Sequence, residues 1–272
     1  MKNIVVIGAN GMLGYAVSEY YNRKNYSVTK ISRLDFDITK DPIEKLEPIL
    51  TRSDFVINCA GVIKPMIVTT SIEDVLRVNA IFPRNLAKLS DKLGLHCYHV
   101  TTDCVYSGKR GDYTENDFFD ADDVYGMSKN GGDHTECMVL RTSIIGEEKG
   151  QSRSLLEWAR SNAGKEVNGF TNHRWNGVAT LYLAEIIETI ESKNLYQKGI
   201  FHIHSPNTVN KFELLQQISD AYDLNLNIKA IEAKDRIDRN LASVKTLTAE
   251  VSVKPIYQQL REMKEYFSIN NK

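Results

Sequence analysis

Tyr125 and Lys129 stand four residues apart and follow Thr101-Thr102-Asp103 in the chain. On a helix the two share a face. A tyrosine near its ordinary pKa of about 10 is a poor base at neutral pH. A neighbouring ammonium and a positively charged nicotinamide stabilise the phenolate and lower that value. Tyr125 can then give a proton to a carbonyl oxygen as hydride arrives, or take one in reverse. Thr102, at a strand end, can hold the same oxygen, and Lys129 can hydrogen-bond the nicotinamide ribose. A second motif, Gly8-x-x-Gly11-x-x-Gly14, follows the apolar run Ile4-Val5-Val6-Ile7. Glycines there allow a tight turn and a close approach to a pyrophosphate resting on a helix N-terminus. The two motifs together point to hydride transfer to or from a carbonyl or an alcohol.

The end of the second strand decides which dinucleotide is held. An acidic residue there would bond the ribose hydroxyls of NAD. This chain has Ser32-Arg33, and an arginine fork suits a 2′-phosphate, which favours NADPH with NADH as the alternative. Asp37-Ile38 follows, within reach of the adenine edge. Cys59-Ala60-Gly61 offers small side chains at the third strand's end. Asn10, Met12 and Leu13 between the glycines, and Thr101, complete the coenzyme set.

These groups need a frame. Ile4–Ile7 and Phe55–Cys59 read as strands buried on both faces, with others at Ser27–Ser32, His96–Thr101, Met138–Arg141 and Gly199–His204. Helical spacing follows Gly14 and runs through Ile43, Leu46 and Leu50 after Pro42. It recurs in one long helix with Ile72, Val75, Asn79, Phe82, Leu86, Leu89 and Leu93 on one face, and near 152–161, 178–191, 211–222 and 256–266. The alternation predicts an α/β fold, a Rossmann-like doubly wound parallel sheet with a smaller interleaved C-terminal lobe. Residues 1–141, joined again by 178–203, are expected to seat the coenzyme; 142–177 and 204–272 are expected to form the substrate lobe. The net charge of -1 gives a nucleic-acid partner no electrostatic support. No apolar run approaches the roughly 20 residues of a membrane span, and residues 1–8 lead into the glycine turn without a signal peptide's small-residue cleavage site. Cys59, Cys97, Cys104 and Cys137 are scattered without a C-x-x-C pair, which suits reduced thiols in a cytoplasm.

With these residues in place, the chain resembles an extended short-chain dehydrogenase/reductase over nearly its full length. The matching pieces are GANGMLG at 8–14, NCAG at 58–61, TTDCVYSG at 101–108, YGMSK at 125–129 and RTSIIG at 141–146. Asp35-Phe36-Asp37-Ile38-Thr39 and Thr102-Asp103-Cys104-Val105-Tyr106 are most similar to segments of the dTDP-4-dehydrorhamnose reductase group. The resemblance implies a Thr102/Tyr125/Lys129 catalytic set and reduction of a nucleotide-linked 4-keto-6-deoxysugar for a surface polysaccharide. It implies that Thr102, Asp103, Cys104, Ser143, Arg174 and Trp175 meet the substrate. Cys104 replaces that group's aromatic residue and Ile144 its tryptophan, both at positions facing the sugar, so the sugar is not fixed as the rhamnose precursor.

Two alternatives remain. Cys104 also resembles the cysteine of bifunctional epimerase/reductases of the GDP-L-fucose synthase type, although Glu147-Glu148 stand where that family places a histidine. A non-catalytic NADP-binding regulatory protein is the other. A 4,6-dehydratase is disfavoured, because Asp103-Cys104 lacks the second carboxylate. The run Asn172–Gly177 reads equally as a loop against nucleotide and diphosphate or as a packed structural loop. His202 and His204 share a strand face without a third metal ligand. Helices near 72–93 and 123–135 are a candidate homodimer face.

Overall fold

The computed structural model describes residues 1–133, 136–150 and 153–269. Its framework is a six-stranded sheet whose neighbouring strands all run parallel. Five of its strands are β1 (Asn3–Ile7), β2 (Ser27–Ile31), β3 (Phe55–Asn58), β4 (His96–Thr102) and β5 (Met138–Thr142). The order across the sheet is Gly199–His202, β5, β4, β3, β1, β2. Ile4 and Val6 face one core while Val5 and Ile7 face the other, so the apolar run of β1 is covered on both sides. This is the doubly wound parallel sheet expected from the sequence.

The winding reverses at β1, between β2 on one side and β3 on the other. The carboxyl ends of β1 and β3 therefore border the crevice in which open α/β sheets bind ligands. Two glycines make this junction possible. Gly8 has φ +77°, and a Cβ there would lie 2.8 Å from the backbone of Ala60. A Cβ at Gly14 would lie 2.2 Å from the Gly8 carbonyl oxygen, so helix α1 (Met12–Arg23) could not pack so close to the loop.

The long helix expected over 72–93 is instead three pieces. Ile72–Leu76 and Phe82–Lys92 are α-helical, and a wide π-type turn, Arg77–Ile81, joins them. Val75, Asn79, Phe82, Leu86 and Leu89 are buried as the spacing predicts, but Ile72 is exposed. The segment after Pro42 is a 3-10 turn, Ile43–Leu46, running into a short helix, Glu47–Leu50.

The later residues add short sheets. Glu166–Phe170 pairs with Asn227–Ile231, and His173–Trp175 lies between Val209–Asn210 and Ile237–Asp238. The helices Leu155–Ser161, Lys211–Tyr222 and Ile256–Ser268 fall where periodicity puts them, as does Thr180–Ser192 beside the main sheet. One apolar core runs from Ile4 and Leu140 through Leu183 to Leu214 and Leu260, with no break between sheet and lobe. The parts of the expected elements at 134–135, 151–152 and 270–272 lie outside the described residues. Among the described residues, no helix is long and apolar enough to cross a membrane, and no cluster of His, Cys, Asp and Glu could hold a metal ion.

Candidate active site

A cleft of about 700 Å³ opens at the carboxyl ends of β1, β3 and β4. Gly8, Asn10, Gly11, Met12 and Leu13 line one end. Gly11 is the N-cap of α1, no side chain caps it, and the first turn holds no acidic residue. The first backbone N–H groups of α1 are thus left for an outside anion. A Cβ on Gly11 would meet only the Gly8 carbonyl oxygen, at 3.4 Å, so the space beside it is open. These residues fit a dinucleotide pyrophosphate. Gly14 lies behind the loop and sets its distance from the helix.

At the end of β2, Ser32, Arg33, Asp37 and Ile38 line the cleft, as do Cys59, Ala60, Gly61 and Thr101 further along. Asp35 does not, because its carboxylate accepts from the Ser32 backbone N–H (2.8 Å) and hydroxyl (2.7 Å). Those bonds hold it below the usual carboxylate range. The exposed Arg33 guanidinium sits 3.4 Å from Asp37. The Thr39 hydroxyl, and then Arg33, bring the Asp37 carboxyl down to about 2. Arg33 is therefore the cation lining the cleft at this corner, with Lys40 3.6 Å from the same carboxylate.

Thr102, Tyr125 and Lys129 meet along the cleft wall. The Thr102 hydroxyl donates to Asp103 Oδ1 (3.2 Å), accepts from the Cys104 N–H (3.1 Å) and lies in hydrogen-bonding reach of the Tyr125 phenol. Burial raises the phenol's pKa; Cys104, Asp103 and Asp123 push the same way, and the Thr102 bond opposes them. Lys129 is buried, its ammonium 3.4 Å from the Val100 carbonyl oxygen and beside Gly61. Burial lowers its pKa, against Asp133 and Cys59. The lowering of Tyr125 expected from Lys129 thus does not set the balance here. The phenol keeps its proton, which suits a donor in the reductive direction.

Three supporting residues escaped the motif reading. Asp123 accepts from the Gly126 N–H (2.7 Å) and from Lys64 (2.6 Å), so it caps the helix Val124–Asp133 and ties it to the loop after β3. Asn79, in the wide turn, accepts from the Val62 N–H (2.8 Å) and donates to the Val62 carbonyl (3.1 Å) and Ser128 (3.0 Å). The signal was present: an amide in an otherwise apolar helical stripe. Asp123 and Lys64 left none, being ordinary polar residues, one in a loop and one opening the 3-10 helix Lys64–Thr69.

At the substrate end, Asp103, Cys104, Ser143 and Ile144 line the cleft. Arg174 and Trp175 do not, which corrects the expectation for both. Trp175 is buried and donates from Nε1 to the Ser143 hydroxyl at 2.8 Å, so it acts behind the wall. Arg174 lies outside, 3.7 Å from Asp238. The loop reading of Asn172–Gly177 therefore resolves toward packing. Burial, then Asp103, pushes the Cys104 thiol up to about 12, which leaves it a poor base for epimerisation. Glu147 is engaged by Arg160 (3.0 Å) and Tyr222 (3.1 Å). His202 is a core residue bonded to Arg141 at 3.0 Å, as expected of a packed histidine.

The pattern described as RmlD substrate binding domain matches residues 1–255. Methionine adenosyltransferase 2 subunit beta of Danio rerio is 27% identical over 82% of this chain and 75% of its own. A dTDP-4-dehydrorhamnose reductase of Mycobacterium tuberculosis is 29% identical over 53% of this chain and 50% of its own. The crystal structure of dTDP-4-dehydrorhamnose reductase from Bacillus anthracis in complex with NADP superposes with a TM-score of 0.82, at 21% identity, over 100% of both chains. A cleft with an uncapped glycine turn at one end and a tyrosine–lysine pair further along is that of an NAD(P)-dependent oxidoreductase, and the chain belongs to the RmlD substrate-binding domain family of extended short-chain dehydrogenase/reductases.

Proposed function

We propose that the protein reduces the 4-keto group of a nucleotide-linked 4-keto-6-deoxysugar with NADPH, in the cytoplasm, for a surface polysaccharide. The observation that carries this reading is the convergence of Thr102, Tyr125 and Lys129 on one cleft with the glycine turn and Arg33. Bound NADPH supplies the hydride. Gly8 to Leu13 hold its pyrophosphate, Arg33 its 2′-phosphate, and Lys129 its nicotinamide ribose. Thr102 orients the carbonyl oxygen, and Tyr125 delivers a proton to that oxygen from its protonated phenol. In this reading residues 1–141 and 178–203 serve the coenzyme, and 142–177 and 204–272 the sugar. Asp103, Cys104 and Ser143 bound the sugar's side of the wall. The half-exposed Val124, Ile72 and Leu76 lie on helices that suit a homodimer face.

The test is incubation with NADPH and a panel of dTDP-, UDP-, GDP- and CDP-linked 4-keto sugars, with products read by NMR. Stereospecific 4-hydroxy product from one of them supports the proposal. NADPH binding with no turnover across the panel overturns it.

A second reading has one observation in its favour. Several relatives matched over about four fifths of this chain are named as subunits of a methionine adenosyltransferase. Under that reading the chain is a coenzyme-binding subunit of a larger assembly. Tyr125 and Lys129 are both present and placed in the cleft, which weighs against it.

A further inference from the structure

The helix Ile256–Ser268 carries a buried amide on an otherwise apolar inner face. Ile256, Leu260, Met263 and Phe267 meet the core at helical spacing, and Gln259 stands among them, 2% exposed. An amide is tolerated there only where its polar atoms are met. Its Oε1 accepts from the Ala179 N–H at 2.8 Å. Its Nε2 donates to the Ser205 hydroxyl at 2.9 Å and to the Lys254 carbonyl. A donor on one side and a carbonyl on the other leave the amide a single orientation. The Ile256 N–H donates to Asn207 Oδ1 at 3.1 Å, which fixes the start of the helix on the loop that carries Ser205.

Ser205 passes the constraint on. Its hydroxyl donates to the Gly177 carbonyl at 2.6 Å, and its N–H to the Asn176 carbonyl at 2.7 Å. Gln259 and Ser205 thus grip Asn176, Gly177 and Ala179 from behind. The same segment carries the cleft wall in front. The Val178 N–H donates to the Ser143 carbonyl at 2.9 Å, and Val178-Ala179 pairs in parallel with Ile144-Ile145. Gly177 lets the two backbones close, because a Cβ there would lie 2.2 Å from the Ser143 carbonyl oxygen. Ser143 and Ile144 line the substrate end of the cleft; Gly177, Ser205 and Gln259 do not. A fully satisfied buried network holds what it touches in one arrangement.

We propose that Gln259 is a positioning residue for the substrate: through Ala179, Ser205 and Gly177 it sets where Ser143 and Ile144 stand in the cleft wall. The inference deepens the reductase reading, which makes this wall the sugar's. One of its readouts needs no sugar, so the two can fail separately. That readout is Trp175, whose indole N–H donates to the Ser143 hydroxyl and reports the place of the wall. The other tryptophan, Trp158, is half-exposed on the helix Leu155–Ser161 and serves as the reference.

Wild type is compared with three variants. Gln259→Met keeps the length and loses every bond of the amide. Ser205→Ala cuts the hydroxyl link to Gly177. Leu260→Ala opens a cavity one position along the helix and leaves the amide in place. The indole N–H resonance of Trp175 should shift in Gln259→Met and Ser205→Ala and stay in Leu260→Ala, while that of Trp158 stays in all three. The KM for the sugar should rise about tenfold in Gln259→Met and about threefold in Ser205→Ala. NADPH affinity should remain within about twofold. Gln259 and Ser205 act in series, so the double variant should be no worse than Gln259→Met alone. An unmoved Trp175 resonance in Gln259→Met overturns the proposal. So does a Leu260→Ala protein whose KM rises as much, since any loosening of the helix would then suffice, and so does NADPH affinity that falls in step with KM. Should Gln259→Met not fold, Ser205→Ala decides by the same readouts. A shifted Trp175 in a protein that reduces no keto sugar keeps the positioning role and loses the reductase reading.

Discussion

The two ends of the cleft are built from different materials. The coenzyme end is backbone: a glycine turn, an uncapped helix start and the close approach of Gly8 to Ala60, all within the first 61 residues. The substrate end is side chains drawn from distant segments. Ser143 is held by Trp175, Tyr106 by Arg239, and Asp103 lies under the charges of Lys211 and Arg239. A backbone site tolerates little change and binds one class of ligand. A side-chain site changes its ligand by substitution, so one frame can serve different sugars.

The seam between the two ends should show the largest effect. Tyr125→Phe removes the proton donor and leaves the glycine turn untouched. Turnover should fall by about 10²–10⁴-fold, while NADPH affinity by fluorescence titration stays within about twofold. A variant that keeps most of its activity removes Tyr125 from the chemistry and breaks the division proposed here.

Acid should loosen the frame behind the cleft. A buried network lies there in which Arg141 meets Asp133 (2.9 Å), Tyr106 (2.8 Å) and His202 (3.0 Å). Burial, then Arg141, lowers the His202 pKa to about 4. An unfolded histidine titrates near about 6.5, so between that pH and about 4 the unfolded chain binds a proton the native state refuses. The stabilisation is complete above the upper value and is lost as pH falls through the window, to a total of about 3 kcal/mol. Glu115, held below its usual value chiefly by the Ser243 hydroxyl and the His202 N–H against burial, adds in the same direction. Urea midpoints measured across this range should drop in wild type and flatten in His202→Gln. A slope unchanged by that substitution rules His202 out as its source.

The backbone end should respond to one methyl group. Gly8→Ala forces a side chain into φ +77° and against Ala60 at 2.8 Å. A loss of about 2 kcal/mol in stability is expected from the strained φ, with coenzyme binding weakened more than stability alone explains. Full NADPH affinity in a folded Gly8→Ala protein shows that this turn is not the seat of the pyrophosphate.

How much of this was legible follows the same division. Ile4–Ile7 and Gly8–Gly14 announced strand, turn and helix because each constraint is local: a two-sided burial run, then glycines where only glycine fits. Tyr125 and Lys129 were legible because four residues on a helix fix a shared face. The pairing of Trp175 with Ser143 was not, since nothing in either segment encodes a bond across 32 positions. Trp175 was therefore read as a contact when it is a prop. The helix break at Arg77–Ile81 was hidden because the apolar spacing on either side of it stays in phase.

Arg33→Ala sharpens the coenzyme end by a smaller step. The guanidinium is exposed and its salt bridge with Asp37 is weak, so stability should not change. NADPH affinity should fall about tenfold, the worth of a charge-assisted fork, while NADH affinity stays put. Equal losses for both coenzymes reject the 2′-phosphate role.

Trp175→Phe tests the prop itself and should have the smallest effect. The ring remains beside Lys211, so the cation–π contact at 5.8 Å survives. What is lost is the bond from Nε1 to Ser143 and a little packing against Gly177. A half-buried hydroxyl left without its donor costs up to about 1 kcal/mol. Because Ser143 faces the cleft and Trp175 does not, the released hydroxyl should disturb the sugar's position while the coenzyme binds as before. The expected signature is a KM for the sugar raised about threefold to tenfold, an NADPH affinity within error of wild type, and a Tm lower by a few degrees. If NADPH affinity falls instead, Trp175 supports the whole cleft, and the two ends are less independent than their construction suggests.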